Sequence, residues 1–175
     1  MKKLLVVVDY QKDFVNGTLG FEGAEKLDER IVEKIKLRRA EGWDVLFTYD
    51  THGEDYLSTQ EGRKLPVVHC IKDTDGWQLF GETANQLMEG DKVIYKPTFG
   101  SLELVEHAIK ENYSEVEIVG LVSDICVMTN AALLKTALPE AEVTVDAACT
   151  SCFDSEKNKA ALSIMESIQV NVINK

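Results

Sequence analysis

Hydrophobic and polar positions in this chain alternate between two periods. Short runs rich in branched aliphatic residues recur at Leu4–Val8, Trp43–Tyr49, Lys92–Tyr95, Val116–Gly120, Glu142–Val145 and Val170–Ile173, which is the length and content of strands. Between them, apolar residues spaced three and four apart predict helices over Ala24–Ala40, Trp77–Met88, Ser101–Asn112, Asp124–Leu138 and Ser155–Ser167. In the first of these, Leu27, Ile31 and Ile35 form one stripe with Leu37 at its margin, and Gly42 follows as a stop. Strands that alternate with helices pack as a parallel sheet covered on both faces. The expected fold class is therefore α/β, with three layers (α/β/α) around a six-stranded, mainly parallel, Rossmann-like sheet. Leu4–Val8 is apolar throughout, so it belongs in the centre of that sheet. The stretch from Asp50 to Asp75 is polar and aperiodic, and a loop of that length is functional or disordered.

Composition narrows the class. A chain of 175 residues predicts a single domain over residues 1–175, and 45% apolar with 28% charged residues excludes a disordered chain. Lys plus Arg is 19 and Asp plus Glu is 30, so the net charge is 19 − 30 = −11, which opposes nucleic acid and anionic membrane surfaces as partners. Leu4–Val8 is the longest clean apolar run, far short of the ~20 residues that span a bilayer, and no cleavage site follows it. Four cysteines, Cys70, Cys126, Cys149 and Cys152, are too few and too irregular for a disulfide scaffold at this size. These features point to a cytoplasmic protein. No glycine-rich phosphate loop is present.

Ligands of open α/β sheets bind beyond the carboxyl ends of the strands, near a switch in strand order. The residues that follow the expected strands are Asp9; Asp50 and His52; Lys96; Ser123, Asp124 and Cys126; and Asp146. One rim of the sheet would then collect carboxylates, a lysine, a thiol and a histidine. Cys126 lies where a strand turns into a helix whose cap is Ser123 or Asp124. There, free N–H groups and the helix dipole would favour a thiolate and hold a developing oxyanion. A buried cysteine that packs as a small hydrophobe is the plainer reading for a cysteine at large, but the company of Cys126 favours a nucleophile. Asp9, at the mouth of an apolar strand, gains proton affinity and suits a base. Lys96 either holds Asp9 ionised, stabilises the thiolate, or is a solvated surface charge.

Asp50 and His52, one residue apart at a strand end, point to the same side and can share a cation. His69 completes a carboxylate–His–His set suited to zinc, iron or manganese, and Glu61 lies in the same loop. His107, inside an expected helix, receives no role. Cys149 and Cys152 have redox-motif spacing but the wrong place in the chain for a thioredoxin-like order.

Val6-Val7-Val8-Asp9-Tyr10-Gln11-Lys12-Asp13-Phe14, Lys96 and Gly120-Leu121-Val122-Ser123-Asp124-Ile125-Cys126-Val127 together resemble the isochorismatase-like cysteine hydrolases, within them the nicotinamidase/pyrazinamidase group. The resemblance covers essentially the whole chain, including Asp146–Ser151. It implies an isochorismatase-like fold and a catalytic triad of Asp9, Lys96 and Cys126. It implies an oxyanion site at the backbone N–H groups of Ser123 and Cys126, with a cis peptide between Val122 and Ser123. Phe14 and Trp77 would line the substrate pocket. Asp50, His52 and His69, with Glu61 as a fourth ligand, would hold one divalent metal, zinc before iron or manganese. The small-molecule substrate would be an amide, nicotinamide first, and the protein a homo-oligomer. Two departures bear on the substrate: Thr51 replaces an aromatic found in many relatives, and the segment Pro97–Ser101 is short. A carbamoyl or ureido amidohydrolase is the alternative within the superfamily. An isochorismatase-type hydrolase would typically lack Cys126, and a non-catalytic binding domain would lose part of the triad.

Overall fold

The computed structural model describes residues 1–175. Six strands form one sheet in the order β3-β2-β1-β4-β5-β6, and every pairing is parallel. The strands are β1 (Lys2–Val8), β2 (Asp44–Asp50), β3 (Lys92–Lys96), β4 (Tyr113–Leu121), β5 (Glu142–Ser151) and β6 (Asn171–Ile173). The main helices are α2 (Leu27–Ala40), α5 (Leu102–Glu111), α6 (Met128–Ala137) and α7 (Ser155–Ser167), and short helices α1 (Lys12–Val15), α3 (Gln60–Lys64) and α4 (Gly81–Ala84) sit in connections. No helix is long and apolar enough to cross a membrane.

β1 is buried on both faces, as its unbroken apolar run requires. Leu4, Val6 and Val8 join the core beneath α5, α6 and α7, whereas Leu5 and Val7 join Leu27, Ile31 and Ile35 of α2 on the other side. Leu37 does not take part; it is 50% exposed and falls off the stripe. After β3 the chain crosses back to lay β4 beside β1, so the direction of winding reverses between β1 and β4. Gly120 makes the close approach possible: its φ is +111°, and a Cβ there would overlap the Val8 backbone.

Two expectations about the fold fail for identifiable reasons. The helix over Trp77–Met88 is reduced to Gly81–Ala84, because Gln11 and Leu79 form an antiparallel bridge and the Phe80 N–H donates to the Tyr10 carbonyl at 2.9 Å. The polar stretch from Asp50 to Asp75 is a loop, as expected, and contains a 3-10 turn at Tyr56–Ser58 and α3, capped by Thr59. Asp146 does not reach the rim. β5 runs on to Ser151, leaving Asp146 mid-strand and buried, where Lys34 of α2 pairs with it at 2.8 Å and with Glu117 at 2.7 Å.

Candidate active site

Asp9 follows β1 and Cys126 follows β4, so the two stand on either side of the switch point. Lys96 ends β3, two strands away, and its long side chain crosses the end of β2 to reach them. Lys96 Nζ lies 2.6 Å from Asp9 Oδ2, 3.5 Å from Cys126 Sγ and 3.4 Å from Asp50 Oδ1. Asp9, Lys96 and Cys126 are all buried. A solvated Lys96 is thus not what the fold makes of this residue. Asp9 has left-handed backbone, φ 46°, a conformation an aspartate tolerates better than most residues and one concentrated at functional sites. Thr48 Oγ1 donates to Asp9 Oδ1 at 2.7 Å, leaving Oδ2 to the lysine.

Burial sets the proton affinities. It pushes the Asp9 carboxyl above the usual carboxylate range, with the Lys96 ammonium opposing it. Burial also pushes the Cys126 thiol well up, again against the pull of Lys96. Desolvation works to lower Lys96, but the charges of Asp9, Cys126 and Asp50 outweigh it and hold the ammonium protonated. The cysteine therefore rests as a thiol. Its position differs from the expected first turn of an α-helix: Ser123–Val127 is a π-turn ahead of α6, with the Val122 carbonyl accepting the Ile125 and Val127 N–H groups. Neither Ser123 nor Asp124 caps it. Ser123 Oγ is instead 2.6 Å from Asn158 Oδ1 of α7. The cis peptide joins Leu121 to Val122, one residue before the expected place. Asn130 of α6 anchors the turn from behind, donating to the Cys126 carbonyl at 2.8 Å.

The expected metal residues also converge. His52 Nε2 and His69 Nε2 lie 3.0 and 3.4 Å from Asp50 Oδ2, and one ligand atom from each residue falls within 4.8 Å of the others. Glu61 Oε1 stands 3.8 and 4.0 Å from the two imidazoles. His69 Nδ1 is 2.8 Å from the Val67 carbonyl, which makes Nδ1 the donor there and leaves Nε2 as the nitrogen turned to Asp50 and available to a metal. Burial alone would raise the Asp50 carboxyl, but hydrogen bonds from His52 and His69 and the Lys96 charge hold it below the ordinary range. A buried carboxylate facing two imidazole nitrogens, with a second carboxylate beyond, fits a divalent transition metal.

A cavity of about 260 Å³ connects the two groups, touching Asp50, Glu61 and His69 on one side and Cys126 on the other. Phe14 lines it, its ring 5.6 Å from that of His69. Trp77 does not. Its indole donates to Thr51 Oγ1 at 2.9 Å and packs 5.0 and 5.3 Å from Tyr49 and Tyr95, a separate aromatic stack behind the rim. Leu19, Phe21, Phe99 and Phe153 complete the apolar wall. They come from aperiodic segments, so sequence patterning gave no signal for them. Cys149, on β5, is in the core under α2, whereas Cys152, the residue after β5, lines the cavity. Neither is bonded to another cysteine.

Gln11 has a role that sequence patterning did not assign. Wholly buried, it donates from Nε2 to the Asp50 carbonyl at 2.9 Å and accepts the Asp50 N–H at 2.8 Å, so its amide fixes the backbone of the residue shared by lysine and imidazoles. Its place directly after a central strand was the available signal.

A profile of the isochorismatase domain matches residues 3–175. The chain belongs to the isochorismatase family. Within that family, it is 30% identical over 143 residues to an uncharacterized isochorismatase family protein, PncA, of Bacillus subtilis, covering 75% of this chain and 77% of the relative. The crystal structure of nicotinamidase PncA from Bacillus subtilis superposes with a TM-score of 0.87 at 25% identity, covering 99% of this chain and 100% of the other. Pyrazinamidase of Pyrococcus horikoshii in complex with zinc superposes with a TM-score of 0.86 at 23% identity, over 100% of both chains. The isochorismatase-like three-layer fold expected from the sequence is therefore the fold present.

Proposed function

We propose that this isochorismatase-family hydrolase, a single domain over residues 1–175, cleaves the C–N bond of a small amide, nicotinamide to nicotinate and ammonia. The observation that carries the reading is the meeting of Asp9, Lys96 and Cys126 in one buried cluster beside an apolar cavity. Because the thiol is neutral at rest, its attack must be coupled to proton loss. Asp9 Oδ2 takes the proton as Cys126 Sγ bonds to the amide carbon. The carbonyl electrons move onto oxygen, where the backbone N–H groups of Ser123 and Cys126 hold the oxyanion at the turn after Val122. Asp9 returns its proton to the departing nitrogen, ammonia leaves, and a thioester remains. Asp9 then takes a proton from water as it attacks the thioester carbon, the C–S bond breaks to release the carboxylic acid, and Asp9 returns its proton to the sulfur, restoring the thiol. Lys96 stays charged throughout and offsets the negative charge that passes between Asp9 and the sulfur.

Asp50, His52, His69 and Glu61 are suited to one divalent metal, zinc before iron or manganese, by their donor set. When bound, it would supply a Lewis-acidic position for a ring nitrogen and so orient the substrate. The ligand cluster favours nicotinamide over a carbamoyl or ureido compound, because an aromatic nitrogen is the donor such a position accepts. Phe14 would bound the ring plane. The test is ammonia release from nicotinamide, pyrazinamide and ureido compounds, with and without a chelator. Turnover of the pyridine and pyrazine amides, weakened by chelation, is expected. Exclusive turnover of ureido compounds, indifferent to chelator, would replace this reading with the carbamoyl one.

A further inference from the structure

The backbones of both histidines of the ligand cluster are tied to a single residue that is not itself a ligand. Cys70 follows His69 in the chain, and its carbonyl accepts the His52 N–H at 2.9 Å. The same short ladder continues with the Lys72 N–H on the His52 carbonyl at 2.9 Å. Cys70 is wholly buried and has left-handed backbone, φ 45°. A residue with a side chain keeps such a conformation only when its surroundings impose it.

The group that imposes it comes from the segment after β1. Asp13 Oδ2 accepts the Cys70 N–H at 2.7 Å, and Oδ1 faces the Thr18 N–H at 3.4 Å. The Asp13 N–H is itself bonded to the Gly76 carbonyl at 3.0 Å. A Cβ on Gly76 or on Gly17 would collide with the Asp13 carboxyl group, so two glycines leave room for it. The carboxylate thus bonds backbone N–H groups and stands outside the Asp9–Lys96–Cys126 cluster.

We propose that Asp13 is a positioning residue of the metal centre: by fixing the Cys70 peptide, it sets the bite between His52 Nε2 and His69 Nε2. This rests on the metal reading above. Partners beyond the ligand shell typically change metal affinity roughly 10–100-fold when removed. The test uses the full chain, stripped of metal, as wild type, Asp13→Asn, Asp13→Ala and His52→Ala. Zinc affinity is measured by competition with a chromophoric chelator, the visible spectrum is recorded with cobalt(II) at saturation, and Tm is recorded for each. Asp13→Ala is expected to bind zinc about 10–100-fold more weakly and to change the cobalt bands at saturation. Asp13→Asn should fall between, because one side-chain oxygen can still accept the Cys70 N–H. It is isosteric and carries the test if the alanine variant does not fold. A lowered Tm with wild-type affinity and wild-type cobalt bands would make Asp13 merely structural and overturn the proposal. If wild type binds no better than His52→Ala, the metal reading itself fails, a result distinct from equal binding by wild type and both Asp13 variants.

Discussion

Lys96 Nζ stands 2.6 Å from Asp9 Oδ2, and neither side chain is more than 1% exposed. A buried pair of this kind is weak evidence for stability, because desolvation offsets the attraction. Its value lies in the proton affinity it sets. Burial lifts the proton affinity of Asp9 and Lys96 opposes the lift, which gives the carboxyl more basicity toward a thiol proton than an exposed aspartate has.

Cys126→Ala is expected to abolish turnover without loss of the fold, since its sulfur is the only thiol beside Lys96. Cys70→Ala, Cys149→Ala and Cys152→Ala, made singly, should stay active. Ammonia release and circular dichroism check both halves. More than a few per cent of the wild-type rate in Cys126→Ala would remove the covalent mechanism.

Asp9→Asn should lower kcat by a factor on the order of 10²–10⁴, the usual contribution of a positioned acid–base group. Lys96→Met and Thr48→Val test the same carboxyl from its two partners. Both partners lower its proton affinity. Removing either must therefore raise the Asp9 pKa and carry the acid limb of the kcat/KM profile to higher pH, further for Lys96→Met because it removes a charge. A limb that moves down, or stays, in both variants would show that Asp9 is not the base.

One divalent metal per chain is expected, and elemental analysis should show it lost in His52→Ala and His69→Ala. Glu61→Gln should weaken binding less, because its oxygen lies 3.8 Å or more from either imidazole. As the cluster borders the cavity and holds no member of the triad, chelation should act mainly on KM, with a fall in kcat only from lost positioning. Equal metal content in wild type and both histidine variants would dismiss these ligands.

Glu117→Ala probes the buried network that joins α2 to the sheet. Glu117 is 1% exposed and pairs with Lys34 and Arg38. Truncating one member of such a network leaves cations without their partner and costs on the order of 3 kcal/mol. A lowered Tm is expected, with kcat unchanged at temperatures where the variant is folded, since the network lies away from Cys126. Loss of kcat at unchanged Tm would place Glu117 in the catalytic machinery.

The sequence by itself determined the layering, because period-two and period-3.6 patterns are local properties and an apolar run such as Leu4–Val8 has one physical home, the centre of a doubly covered sheet. It also placed Asp9, Asp50, His52, Lys96 and Cys126 at strand ends, where parallel topology puts ligand-binding residues. Tertiary structure alone decided distances across the sheet. That Lys96 reaches Asp9 over the end of β2 depends on the order β3-β2-β1-β4, which no local pattern encodes. The same holds where long-range bonds override local preference. Trp77 leaves its expected helix because Gln11 and Thr51 hold its backbone and indole, and Asp146 leaves the rim because β5 extends past it beside β4. Chemistry that depends on residue type is written along the chain, while pairing and burial belong to contacts between segments far apart in it.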